Sequence, residues 1–219
     1  METITISNLL PRVFAGMEDS EKIRSSQIWG ERSFVFRRGC RLCIQAESGS
    51  GKSSLLSFIF GLRADYSGDI FFDGRDTRQL SVAEWSAVRT SVLSLLPQDM
   101  ALFPELTVAE NIDLKNNRTR HKSRQQIMEM LERVGLADKT DAPAGKLSIG
   151  QMQRVALVRS LCQPFSFIFL DEPVSHLDSR NNRIAAQMIA EEAERQGAGV
   201  VATSVGNHLE LDNAQFISM

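Results

Sequence analysis

The sequence has little of several things, and each shortage excludes a class. Its 219 residues include three cysteines, an odd and small number that cannot support a disulfide framework. Reduced thiols fit the cytosol. Cys40 and Cys43 form a C-x-x-C, but no second pair follows and the nearest histidine is far along the chain. The pair reads as two strand residues on opposite faces, since their spacing is odd. Long apolar runs are missing: Phe165 to Leu170 is among the longest, far short of the roughly 20 residues that cross a bilayer. The N-terminus, METITISNLLPRVF, has no basic start followed by an apolar run, so no secretory signal is expected. The chain is expected to be soluble and to meet membranes only through a partner. Neither sign of charge dominates: 25 basic and 27 acidic residues are interspersed, for a net charge of −2. That excludes a basic nucleic-acid footprint and an acidic tail. There is no low-complexity tract and no internal repeat.

What is present suits an ordinary globular domain, with 42% hydrophobic and 24% charged residues. Ile4 and Ile6, between threonines, suggest a first strand. Ser33 to Phe36 alternates polar and apolar and ends at Arg37-Arg38-Gly39. Arg41 to Ala46 reads as a buried strand, Lys52 to Gly61 as a helix, and Ile70 to Phe72 as a strand closed by Asp73-Gly74. Thr107 and Glu110 have capping-box spacing and open a helix. Arg118 to Arg124 is basic and polar and reads as a solvated loop. Ile127, Met130, Leu131 and Val134 recur at helical spacing, stopped by Gly135. Met152 to Leu161 and Arg183 to Arg195 read as helices. Phe165 to Leu170, Gly199 to Thr203 and Gln215 to Ser218 read as strands. Strands alternating with helices predict an α/β fold with a mostly parallel sheet covered on both faces. A helical subdomain is expected as an insertion over approximately 86–151, between core segments of approximately 1–85 and 152–219, with a small β region at the N-terminus.

Ser48-Gly49-Ser50-Gly51-Lys52-Ser53-Ser54 falls between a predicted strand and a predicted helix, the setting of a phosphate-binding P-loop. Glycines let the backbone curl so that successive N–H groups point inward. The helix adds its positive N-terminus. Lys52 is placed to reach the β- and γ-phosphates, and the Ser53 hydroxyl to ligate Mg²⁺. The full pattern asks for glycine at position 46, where this sequence has alanine. Ala46 is harmless there if φ is negative and costly if φ is positive.

Phe167-Ile-Phe-Leu-Asp171-Glu172 puts two acids at the carboxyl end of a buried strand, where ligands sit in open α/β folds. Asp171 is expected to hold Mg²⁺ and Glu172 to polarise an attacking water as general base. Alone, such a strand is common; about 120 residues after a P-loop it gains specificity.

Between these motifs, Leu147-Ser148-Ile149-Gly150-Gln151, followed by Met-Gln-Arg154-Val-Ala-Leu, resembles the LSGGQ signature of ATP-binding cassette (ABC) ATPases. Gln98 looks like the Q-loop glutamine, and Ser175-His-Leu-Asp178 looks like the D-loop. The resemblance spans most of the chain and implies a P-loop NTPase core that binds and hydrolyses ATP with Mg²⁺. It implies a head-to-tail dimer holding two ATP molecules, each between one P-loop and the other chain's Ser148, Gly150 and Gln151. Gln98 would join the metal set and the catalytic set, and Asp178 the nucleotide contacts. Ile149 replaces the usual first glycine of the signature pair. An aromatic residue upstream of the P-loop usually stacks on adenine; Phe14 is the candidate and Trp29 the second, and either could equally be core. A histidine normally follows the strand after the D-loop, but Val205 or Ser204 falls there and His208 is displaced by about one helical turn.

These features imply the ATPase subunit of a transporter, acting on a separate transmembrane permease from the cytoplasmic face, with Pro97 to Thr107 as the receiving surface and no nucleic-acid partner. The alternatives are a non-transport ABC ATPase and a slowly hydrolysing regulator. The first usually carries two cassettes or a coiled-coil insertion, both missing here. The second draws on Ala46 and the absent histidine, while the intact Glu172 speaks against it.

Overall fold

The computed structural model describes all of residues 1–219 except the side chain of Lys22. In chain order the elements are β1 (Thr3–Pro11), α1 (Glu21–Arg24), β2 (Ser33–Arg37), β3 (Arg41–Gln45), α2 (Lys52–Ile59), β4 (Tyr66–Phe72), β5 (Arg75–Asp76), α3 (Val82–Ser91), β6 (Leu93–Leu96), α4 (Val108–Thr119), α5 (Arg124–Arg133), α6 (Ile149–Leu161), β7 (Phe167–Asp171), α7 (Ser179–Gln196), β8 (Gly199–Ser204) and β9 (Gln215–Ser218).

Two sheets result. The larger has strand order β6-β7-β8-β3-β9, all pairs parallel. The smaller is antiparallel, in the order β2-β1-β4-β5. Strands β7 and β8 are buried along their whole length, as a parallel strand covered on both faces must be. The period of two divides β7 between two cores. Phe167 and Phe169 point to one built with Ile4, Phe36 and Phe58; Ile168 and Leu170 point to the other, with Leu131, Val155 and Ile189. The first core lies between the two sheets and α2, and the second lies under α4 to α7. The P-loop therefore springs from β3, which is held between β8 and β9.

Capping explains where the helices start. α3, α4, α5 and α6 each open with a reciprocal capping box: Ser81 with Glu84, Thr107 with Glu110, Ser123 with Gln126, and Ser148 with Gln151. Each such cap contributes about 1 kcal/mol to its helix.

Two expectations need correction. The segment read as helical from about residue 86 contains β6, which pairs with β7 from Leu93↔Phe167 to Leu96↔Leu170. The chain leaves the sheet after β6. Leu93–Leu96 is short and has no β-branched residue, so its pattern gave no strand signal. The stretch Arg118 to Arg124 is also not simply a solvated loop. Lys122 is 4% exposed, and its Nζ lies 2.5 Å from Glu192 Oε2. Asn116 binds the backbone of Lys122 in both directions at 2.9 Å. His121 Nε2 meets the other Glu192 oxygen at 2.9 Å. Glu192, on α7, is itself 2% exposed, and a carboxylate so placed needs a cation beside it.

Candidate active site

The P-loop is built as its sequence requires. Gly49 and Gly51 have φ of +76° and +99°, in the left-handed region that glycine enters without strain. Gly51 is the N-cap of α2 and no side chain caps that helix, so its first amides point into the loop as anion donors. Ala46 is not among the positive-φ residues, so alanine is tolerated where the pattern asks for glycine. Lys52 is 4% exposed. Its Nζ donates to the carbonyls of Ala46 and Glu47 at 3.1 and 3.0 Å and stands 3.8 Å from Glu172 Oε1. The Ser50 hydroxyl is buried with no hydrogen-bond partner, the kind of orphan that a phosphate oxygen would satisfy. Ser48, Gly49 and Ser53 are exposed at the loop. The Ser54 hydroxyl accepts from Arg63 at 3.0 Å, which leaves this residue its backbone amide for phosphate.

Phe14 and Trp29 lie against the loop. They are 8% and 6% exposed. A Cβ on Gly51 would come within 3.4 Å of the Phe14 ring and 3.2 Å of the Trp29 ring. Trp29 Nε1 donates to the Ser50 carbonyl at 2.9 Å. Both rings therefore pack against the P-loop turn.

At the end of β7 a single hydroxyl sets both acids. Thr203 Oγ1 donates to Asp171 Oδ1 at 2.7 Å and accepts from the Glu172 amide at 3.1 Å. Asp171 is 5% exposed, and Glu172 has φ +49°. That left-handed turn directs the Glu172 carboxylate toward Lys52. The Glu172 carbonyl is bound by Gln153 Nε2 at 3.0 Å and by the Ser175 hydroxyl at 3.1 Å. Gln153, one turn into α6, was not singled out from sequence, nor was Thr203. Their partners are remote in the chain, and although Gln153 falls in the run after the signature, nothing local pairs it with Glu172.

Ser53, Gln98, Asp171 and His176 line one open cleft of about 830 Å³. A hydroxyl, an amide oxygen and a carboxylate form an oxygen-only set that fits Mg²⁺. Gln98 is exposed on the loop after β6. Arg159 holds that loop through the carbonyls of Ala101, at 2.7 Å, and Met100. Asn111 clamps its far end, accepting from the Phe103 amide at 2.8 Å and donating to the carbonyls of Phe103, Leu106 and Thr107. Met100 and Ala101 are both left-handed, so the loop is bent where Arg159 grips it.

Ser148 is exposed as the N-cap of α6, its hydroxyl accepting from the Gln151 amide at 3.3 Å while Gln151 accepts from the Ser148 amide at 2.9 Å. Gly150 packs on the D-loop: a Cβ there would stand 2.9 Å from the His176 carbonyl oxygen. Ile149 is 50% exposed and faces the cleft. Asp178 caps α7 through the Asn181 amide at 2.8 Å, and that hydrogen bond holds its carboxyl below the usual range. Ala46 donates to the Ser204 carbonyl at 3.3 Å, so β8 ends beside the root of the P-loop, and Val205 follows 45% exposed. His208 lies elsewhere, edge-on to Phe216 at 5.2 Å.

With this geometry established, a family model described as ABC transporter matches residues 30–175. The chain belongs to the ABC transporter family. Relatives include the lipoprotein-releasing system ATP-binding protein LolD of Buchnera aphidicola subsp. Schizaphis graminum, 36% identical over 162 residues, covering 73% of this chain and 71% of that one. LolD of Shewanella frigidimarina is 34% identical over 183 residues, covering 82% and 77%. Among solved structures, the dimeric bacterial ABC transporter cassette MJ0796 superposes with a TM-score of 0.76 at 23% identity, covering 98% of this chain and 94% of that one. The same cassette in a post-hydrolysis state bound to ADP and Pi gives 0.73 at 25% identity, covering 93% and 88%. The fold is that of an ABC cassette, and the chain is an ATP-binding, ATP-hydrolysing subunit of an ABC transporter. No helix among the described residues is long and apolar enough to cross a membrane.

Proposed function

We propose that this ABC ATPase works as a head-to-tail pair that drives a separate membrane subunit from the cytoplasmic face. The observation that carries the reading is a shared wall. Pro97 and Leu62 line both the cleft of Ser53, Gln98 and Asp171 and a second, apolar groove of about 590 Å³ between α3, α4 and the Gln98 loop. Val82, Leu62, Phe103 and Leu114 are exposed by 88, 58, 53 and 45% around that groove. A contact that changes at Gln98 therefore alters the surface on which a partner would sit. The lipoprotein-releasing relatives, named as ATP-binding proteins of a system, support a membrane-protein partner for a cassette of this kind.

Within each site Lys52, the P-loop amides and the Ser50 hydroxyl hold the phosphates. Ser53, Gln98 and Asp171 would hold Mg²⁺, which when bound would neutralise phosphate charge. Glu172 takes a proton from the attacking water. Ser148, Gly150 and Gln151 of one copy close on the nucleotide held by the other, using the N-terminal amides of α6.

The test is the mass of the Glu172→Gln protein by light scattering. With Mg-ATP it should double from 24.4 kDa, and Ser148→Phe should abolish the doubling. A Glu172→Gln protein that binds Mg-ATP and stays monomeric overturns the paired reading. For the partner, Leu114→Asp should abolish stimulation of the ATPase by the membrane subunit and leave the chain's own turnover intact.

A further inference from the structure

The chain has three histidines, and the structure accounts for two of them without chemistry. His121 is bonded to Glu192, and His208 packs on Phe216. The third, His176, is exposed and lines the cleft with Ser53, Gln98 and Asp171. At the end of β8, Val205 is the exposed side chain beside the P-loop root, and it has no group to donate. We propose that His176 is a further catalytic residue, whose imidazole N–H donates a hydrogen bond to a γ-phosphoryl oxygen as the phosphate is transferred to water.

The backbone around His176 is fixed as a donor needs. Its amide donates to Gln153 Oε1 at 3.0 Å, while the other end of the same side chain binds the Glu172 carbonyl. One amide group thus holds the histidine and the base in register. The His176 carbonyl lies against Gly150, where a Cβ would stand 2.9 Å away, so the D-loop seats closely on α6. The ring contributes charge stabilisation to a cleft that Ser53, the residue after Lys52, lines from the P-loop side.

In the step itself the water oxygen bonds the γ-phosphorus and gives its proton to the Glu172 carboxylate. The bond from the γ-phosphorus to the bridging oxygen breaks, and its electron pair stays on ADP. His176 transfers no proton; it donates to an oxygen on which charge builds.

The inference rests on the proposed reading of Glu172 and the cleft, and the experiment separates the two. Steady-state turnover of Mg-ATP is measured for the purified chain and for His176→Ala, His176→Gln and His176→Ala/Val205→His. Mg-ATP affinity is measured by calorimetry in the Glu172→Gln background. His176→Ala should lower kcat by about tenfold to a hundredfold with KM, affinity and melting temperature unchanged. His176→Gln, which keeps an N–H, should recover part of the loss, and Val205→His should restore most of it. A His176→Ala kcat within twofold of the unsubstituted protein overturns the proposal, as does a loss matched by an equal loss of affinity. Turnover that survives Glu172→Gln would instead overturn the base assignment.

Discussion

The side-chain amide of Gln153 donates to the carbonyl oxygen of Glu172 at 3.0 Å. The helix that begins at the signature is thereby tied to the residue that ends the acidic strand. Gln153 is 3% exposed and also reaches the Ser175 hydroxyl and the His176 amide. Gln153→Ala removes three part-buried hydrogen bonds, which should cost about 0.5–1.5 kcal/mol of stability for each. It should also lower kcat, because the base and the D-loop lose their common anchor. A thermal melt and a turnover assay check the two effects separately.

Thr203→Val keeps the shape of the side chain and removes one hydroxyl. Asp171 loses a donor and the Glu172 amide loses an acceptor. Expected are a loss of about 1–3 kcal/mol and, on the proposed role of Asp171 in holding Mg²⁺, a higher Mg²⁺ requirement. A magnesium titration of turnover reads the second effect. An unchanged titration would remove Thr203 from the metal site.

Glu172→Gln and Lys52→Ala should fail in different ways. The first keeps the polar contact and removes the proposed proton acceptor, so Mg-ATP binding should survive and kcat fall by about a hundredfold or more. The second removes the buried ammonium from the phosphate site, so binding itself is lost. Calorimetry beside turnover tells the outcomes apart.

Glu192 gives the protein an acid-sensitive joint between the α4–α5 connection and α7. Burial pushes its carboxyl up, but hydrogen bonds from His121 and Lys122 and the charges of Lys122 and Arg195 outweigh burial and hold its pKa at about 2. A carboxyl depressed on folding contributes stability above its unfolded value, near 4.5, and that contribution is lost as pH falls toward 2. The melting temperature should fall across this window, and Glu192→Gln should flatten the fall. At neutral pH the same substitution leaves Lys122 buried and unpaired and should cost about 3–5 kcal/mol.

Ala46→Gly restores the full P-loop pattern and should gain nothing. The alanine already sits at negative φ, so glycine adds freedom to the unfolded chain and lowers stability by about 0.4–1 kcal/mol. Mg-ATP affinity should stay within twofold by calorimetry. A large gain in affinity would show that the alanine strains the loop.

What could be read from sequence was what is local in sequence. The P-loop, the Asp171-Glu172 strand end and the Thr107 cap each declare themselves within eight residues, because turn geometry and capping act over that range. The residues that hold the site together act over longer separations. Gln153 binds Glu172 across 19 positions and Thr203 binds its amide across 31, and no spacing rule links such pairs. Strand β6 was hidden because Leu-Ser-Leu-Leu is as compatible with a helix as with a strand until β7 is beside it. Phe14 shows the converse limit. An aromatic residue before a P-loop has one appearance in sequence whether its ring packs under the loop or faces a base.

Glu172 turns out of β7 with a left-handed backbone, which costs a residue with a Cβ about 1–2 kcal/mol. Glycine or asparagine would sit there more comfortably. Selection for heat resistance alone would therefore erode this position early, and the population would gain melting temperature as it lost turnover. Keeping glutamate at 172 takes a pressure that acts on the reaction and not on the fold.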